Sequence, residues 1–272
     1  MKFAQSSFVY FNYPLQEAIR RLHRSGYQGI EVWGGRPHAY RHDLDGELDE
    51  VIALLDRFEM TVPNFIPAQF RYPSILCSLN EAIRRDSVHY IQDAIDNSRK
   101  LGSPYVSLCP GMTLAGEDLD QGWSQLRKSF RELLDYTEGS NPVLLIEPAH
   151  KAESTLILTV EDGLRMIDEI GSERLGILLD TGHANVNGEN LAEIVLSLKE
   201  VPFHIHIDDN HGDSDAHLIP GEGSIDFAPF VQALKEIDYQ GFVSAELGFQ
   251  YTLDPDPAVE QTHIMLNQIF GE

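Results

Sequence analysis

Short apolar runs alternate with amphipathic stretches along the whole chain, and this alternation sets the predicted elements. Strands are expected at Phe3–Phe8, Gly29–Trp33, Thr61–Ile66, Tyr105–Leu108, Val143–Glu147, Leu175–Asp180, Phe203–Asp208 and Gly241–Glu246. Between them, apolar residues recur at helical spacing. In Pro14–Ser25 these are Leu15, Ala18, Ile19 and Leu22, and Gly26 stops the run. Gly46–Phe58 carries Leu48, Val51, Ile52, Leu54 and Leu55, and Asn80–Leu101 is the longest stretch, with Asn80 as cap and Gly102 past its end. Further helices are expected at Leu119–Glu138, Val160–Ile170, Leu191–Leu198, Phe227–Ile237 and Pro257–Phe270.

Strand-helix units repeated without a long linker or a break in composition predict a single-domain (β/α)8 TIM barrel spanning residues 1–272. A doubly wound sheet is the competing arrangement, but it gathers its ligands at a switch point between only a few strands. No GxGxxG follows the first strand and no GxxxxGK[ST] occurs, so nucleotide binding has no support.

Four strand ends make the barrel chemically interesting. Glu147 closes VLLIE, Asp180 closes LGILLD, His206 lies in FHIHIDD, and Glu246 closes GFVSAE. One polar residue ending an apolar strand usually caps a helix or faces water. Four oxygen or imidazole donors at the same relative place meet on one rim of a parallel barrel, where they suit one divalent cation such as Mn²⁺, with Mg²⁺, Co²⁺ and Zn²⁺ as alternatives. His204 shares a face with His206 by period two and reads as a hydrogen-bonded core histidine. Glu153 and His183 sit on neighbouring loops, within reach of a substrate hydroxyl. The segment DSDAHLIPGEG places Asp215 and His217 before a turn that serves as a substrate clamp, a second metal site or a plain connection. After the second strand, Gly34-Gly35 permits a sharp turn that projects Arg36 and His38 toward the same rim, and Trp33 offers a flat apolar platform. Tyr10, Phe11 and Tyr13 supply another apolar wall.

Composition narrows the partners. Forty-three acidic against twenty basic residues give a net charge of −23, which repels nucleic acid and anionic membranes. The densest basic stretches, Arg20-Arg21 with Arg24 and Arg84-Arg85, read as solvated helix faces. Cys77 and Cys109 lack metal-site spacing and read as free thiols in a reducing cytoplasm. The first residues lack the basic and apolar regions of a signal peptide, and no run approaches a membrane span of about 20 apolar residues.

With these motifs in order, the chain resembles the xylose isomerase-like TIM-barrel superfamily of sugar isomerases and epimerases. GIEVWGGRPHAY, RYPSI, RRDS, IEPAHKAES and DAHLIPGEG are similar to the fructoselysine 3-epimerase and ketose 3-epimerase branch. The resemblance implies Glu147, Asp180, His206 and Glu246 as metal ligands, usually for Mn²⁺. It makes Glu147 and Glu246 the proton-transfer pair, and it places Glu153 and His183 against substrate oxygens. Free-ketose epimerases carry an Arg six residues after the metal-binding His, where this chain has Gly212, so recognition of the far end of the sugar differs. The implied reaction is C3 epimerisation of a ketose or ketose derivative through a metal-stabilised enediolate. Aldose-ketose isomerisation, a keto-sugar lyase, dehydratase or deglycosidase, and sugar binding without catalysis are the alternatives. Assembly as a homo-oligomer is common among such relatives.

Overall fold

The computed structural model describes residues 1–69, 72–139 and 142–271. Eight parallel strands close on one another in chain order, β1 pairing with both β2 and β8. They are β1 (Lys2–Ser6), β2 (Gly29–Gly34), β3 (Phe65–Pro67), β4 (Tyr105–Leu108), β5 (Val143–Ile146), β6 (Leu175–Asp180), β7 (Phe203–Ile207) and β8 (Phe242–Ala245). The outer ring is built from α1 (Leu15–Arg24), α2 (Leu48–Phe58), α3 (Glu81–Lys100), α4 (Leu119–Tyr136), α5 (Val160–Ile170), α7 (Leu191–Ser197), α8 (Phe227–Glu236) and α9 (Pro255–Phe270), with a short α6 (Thr181–Val186) on the rim. The expected barrel is therefore the observed one.

Some boundaries differ, each for a local reason. β1 stops at Ser6 rather than Phe8 because the Ser6 hydroxyl accepts from the Phe8 N–H and turns the chain into a 3-10 helix, Ser7–Tyr10. β3 starts four residues later than expected. Pro63 has no N–H to give a ladder, so Thr61 keeps only an isolated bridge to Gly29. Helix α6 arises because the Asp180 side chain accepts from the His183 N–H at 2.7 Å and caps a new turn. Arg71, which opens the RYPSI segment, lies outside the described residues.

Alternation along each strand sorts the side chains into two cores. Outward-facing Ile146, Ile177, Ile205, Ile207 and Val243 join the apolar layer between strands and helices. Inside the barrel the set is unusually polar: Gln5, Glu31, Asn64, Ser107, His204, His206 and Ser244 are all buried. TIM-barrel interiors are more often filled by branched apolar side chains. Packing is tight where β6 passes the start of β7, since a Cβ added at Gly176 would meet the Pro202 carbonyl oxygen at 2.0 Å.

The outer layer has its own polar anchors. The Trp123 indole N–H donates to Glu169 at 3.0 Å, tying α4 to α5. Arg84 corrects the sequence expectation. It is fully buried rather than solvated, because its guanidinium bridges Glu81, Glu132 and the Ser129 hydroxyl at 2.8–3.2 Å. Arg85, one position on, is exposed as expected and, among the described residues, pairs only with Glu81. We expect Arg84→Ala to lower stability by about 1–3 kcal/mol, moderated because both glutamates keep solvent contact, and Arg85→Ala by under about 0.5 kcal/mol. Urea midpoints check this; equal midpoints for the two variants would contradict the bridging role.

Candidate active site and metal centre

The rim residues owe their convergence to strand pairing. Asp180 is paired with His206 across β6 and β7. Glu147 follows β5 and donates its N–H to the Leu108 carbonyl at 3.0 Å; Glu246 follows β8 and donates to the Ile207 carbonyl at 3.3 Å. These continuing ladder bonds fix where each carboxylate starts. The result centres on His206 Nδ1, with Glu246 Oε2 at 3.0 Å, Glu147 Oε1 at 3.5 Å and Asp180 Oδ2 at 3.7 Å. One donor atom from each of the four lies within 4.8 Å of every other.

A cation fits this arrangement. Asp180 Oδ2 and His206 Nδ1 are both buried and form no hydrogen bond of acceptable geometry. Three carboxylates crowded on one imidazole nitrogen, with Asp180 fully buried and the two glutamates largely so, are costly without a compensating charge. Hard oxygen donors with one nitrogen suit a divalent ion of the Mn²⁺ or Mg²⁺ type.

Burial and neighbours also split the two glutamates. Burial holds Glu147 above the usual carboxylate range, only partly countered by His206. Burial pushes Glu246 the same way, but the charge of His206, 3.0 Å away, outweighs it and leaves Glu246 below that range. Burial likewise raises Asp180.

A second layer lies beside the first. His217 Nδ1 meets Asp208 Oδ2 at 2.8 Å and its Nε2 meets Asp215 Oδ2 at 3.0 Å. His183 Nδ1 stands 3.3 Å from the same Asp215 oxygen and its Nε2 is 3.9 Å from Glu153. Burial would lower the His183 pKa, but Asp180, Asp215, Glu147 and Glu153 together raise it to about 9. Burial and the nearby Asp180 push Asp208 up to about 7. Gly182 is required here, because a Cβ would come within 2.6 Å of both Asp208 carboxylate oxygens.

Above these layers opens a cavity of about 330 Å³. Its floor includes Glu147, Glu153, His183, Asp215, His217 and Glu246, and its opposite wall includes Phe8, Trp33 and Phe249. Phe8 packs edge-on against both Trp33 and Phe249, with ring centroids 5.3 and 4.8 Å away.

Comparison with known proteins places this geometry. Residues 19–268 match the family model described as xylose isomerase-like TIM barrel. The chain belongs to that family. Within it, the chain is 30% identical over 243 residues to fructoselysine 3-epimerase of Shigella flexneri, covering 89% of this chain and 88% of that one. Among solved structures, a D-tagatose 3-epimerase-like protein superposes with a TM-score of 0.81 at 27% identity, covering 98% and 99% of the two chains. The 3-keto-D-glucoside 4-epimerase of E. coli superposes at 0.84 with 20% identity, covering 98% and 99%, which speaks to the fold alone. Family membership makes the chain an enzyme of the sugar isomerase and epimerase kind.

Against that family frame, most of the residues singled out in the sequence gather in one place. Glu147, Asp180, His206 and Glu246 form the four-donor cluster, and Glu153, His183, His217 and Trp33 line the cavity above it. Arg36 and His38 do not. Arg36 turns outward to Asp43, 2.5 Å away, and stacks over the Tyr40 ring. His38 is buried: its Nε2 lies 3.0 Å from the Tyr13 carbonyl and its Nδ1 3.0 Å from the Ser7 hydroxyl, which itself accepts from the Trp33 N–H. After the Gly34-Gly35 turn the chain runs to α3, where the Asn97 side-chain amide donates to the Ala39 and Arg41 carbonyls and Arg41 pairs with Asp93. Of the aromatic residues after β1, Phe8 reaches the cavity, while Tyr10 is buried with its hydroxyl on Asp256. The sequence reading missed Asp208, which shares the parity of His204 and His206, and Glu31, a lone acid inside the apolar run GIEVWG.

His38 lies behind the Trp33 platform, outside the cavity lining, and burial holds its pKa down at about 4. The unfolded chain binds a proton at this residue near pH 6.5 and the folded chain near 4, so stability falls as pH drops through that window. His38→Gln is expected to flatten this acid limb between pH 6.5 and 4, measured by urea midpoints, with KM changed less than about twofold. A tenfold rise in KM with an unaltered acid limb would restore His38 as a substrate contact.

Proposed function

We propose that this enzyme is a divalent-metal-dependent sugar epimerase that inverts C3 of a ketose or a ketose derivative such as fructoselysine. One observation carries the reading. Of the four clustered donors, Glu147 and Glu246 also line the cavity, whereas Asp180 and His206 stay behind it. Two donors are thus free to touch substrate while two only hold the ion. The fructoselysine 3-epimerase relative and the D-psicose 3-epimerase of Enterocloster bolteae, 30% identical over 172 residues and 61% of this chain, support the same chemistry.

Glu147, Asp180, His206 and Glu246 would hold the ion, which when bound polarises a substrate carbonyl as a Lewis acid. C3 next to a C2 carbonyl is then acidic enough to lose its proton to a carboxylate. One of Glu147 and Glu246 takes that proton, and the other returns one from the opposite face of the planar intermediate. Inversion demands two such groups, one on each side. Glu153 and His183, 3.9 Å apart in the cavity lining, contact substrate hydroxyl and carbonyl oxygens, with Asp215 supplying negative charge 3.3 Å from His183 Nδ1. The Trp33, Phe8 and Phe249 wall takes the apolar face of the sugar.

Chelation of the metal is expected to abolish turnover, and added Mn²⁺ to restore it; full activity in metal-stripped protein would overturn the reading. Glu246→Gln is expected to lower kcat by at least about 100-fold while substrate still binds. In deuterated water, label should enter at C3 of recovered substrate and product, with product mass otherwise conserved. Label at another carbon, or loss of a leaving group, would replace epimerisation at C3 with isomerisation or elimination.

A further inference from the structure

Glu31 is not among the residues lining the cavity, yet it is wholly buried inside the barrel. It enters the interior from β2 with no solvent exposure. His206 Nε2 lies 2.8 Å from its Oε1, and the Asn64 side-chain amide donates to the same oxygen. Its Oε2 faces His204 Nε2 at 3.3 Å, and that nitrogen also meets the Ser244 hydroxyl at 2.9 Å. Asn64 is held in turn by Ser107 at 3.1 Å. Among the described residues the two histidines are the only ion-pair partners of Glu31.

This geometry fixes the chemistry of His206. An ionised carboxylate only accepts hydrogen bonds, so the proton of a neutral His206 ring sits on Nε2. That leaves Nδ1 as a lone pair, and Nδ1 is the atom that faces Glu147, Asp180 and Glu246 without a hydrogen bond of its own. A carboxylate behind a ligating imidazole locks its tautomer and ring angle and raises its basicity. A buried acid is otherwise hard to explain here, since an apolar side chain of similar size would fill the same space without the desolvation cost.

We propose that Glu31 is the positioning residue of the metal centre, acting through His206 to present Nδ1 to the ion. This inference rests on the four-donor cluster holding a divalent metal. Removing Glu31 would weaken metal binding without altering any group that touches substrate.

The test is calorimetric titration of Mn²⁺ into metal-stripped protein. Glu31→Gln is expected to raise the Mn²⁺ Kd about 10–100-fold, because outer carboxylates of this kind typically contribute that much. Ser244→Ala, which removes a partner of His204 only, is expected to leave the Kd within about twofold of wild type. An unchanged Kd in Glu31→Gln, or an equal loss in both variants, would overturn the proposal and reduce Glu31 to barrel packing. Should Glu31→Gln not fold, wild-type protein with ¹⁵N-labelled histidine decides the matter. On Zn²⁺ addition, His206 should show a protonated Nε2 and a metal-shifted Nδ1; the reverse pattern would overturn it. Wild-type protein that binds no Mn²⁺ would instead remove the metal centre itself, and this role with it.

Discussion

The imidazole of His206 stands between two anionic layers, and the surrounding architecture follows from keeping it there. Glu31 lies beneath it and Glu147, Asp180 and Glu246 lie above. Asp208 and Asp215 add further buried negative charge beside them. The ion-pair partners of these six acids, among the described residues, are histidines rather than lysines or arginines. A low-dielectric interior makes such an excess expensive. The barrel tolerates it because β5, β6, β7 and β8 bring Glu147, Asp180, His206 and Glu246 to one rim, where one multivalent cation would offset several charges at once.

Asp180 shows how closely scaffold and chemistry are joined. One of its oxygens caps helix α6 by accepting from the His183 N–H, and the other points into the cluster without a hydrogen bond. The cap sets where α6 begins, so it also sets where His183 stands relative to Asp215 and Glu153. Capping and a place in the four-donor cluster, which compete as explanations of an aspartate at a strand end, are shared by the two oxygens of one side chain.

Much of this was legible in the sequence because period-two alternation and the convergence of strand ends are local rules with global consequences. Glu147, Asp180, His206 and Glu246 were readable as a group for that reason, and Trp33 followed from its place at the end of β2. What escaped depends on paths that alternation does not encode. Arg36 and His38 miss the cavity because local partners hold them elsewhere, Asp43 for Arg36 and Ser7 with the Tyr13 carbonyl for His38. Arg84 looks like any surface arginine until Glu81 and Glu132 are seen to close around it. Glu31 was hidden differently: its strand reads as plain core, and its meaning comes from His204 and His206, more than 170 residues away.

The two tryptophans of this chain occupy opposite situations. Trp33 forms part of the cavity wall, whereas Trp123 is buried in the helical layer with its indole N–H held by Glu169. Intrinsic fluorescence therefore has one emitter that a ligand can touch and one steady reference. A ligand entering the cavity would displace water from the first and not touch the second, so the unlabelled protein carries its own optical gauge of occupancy.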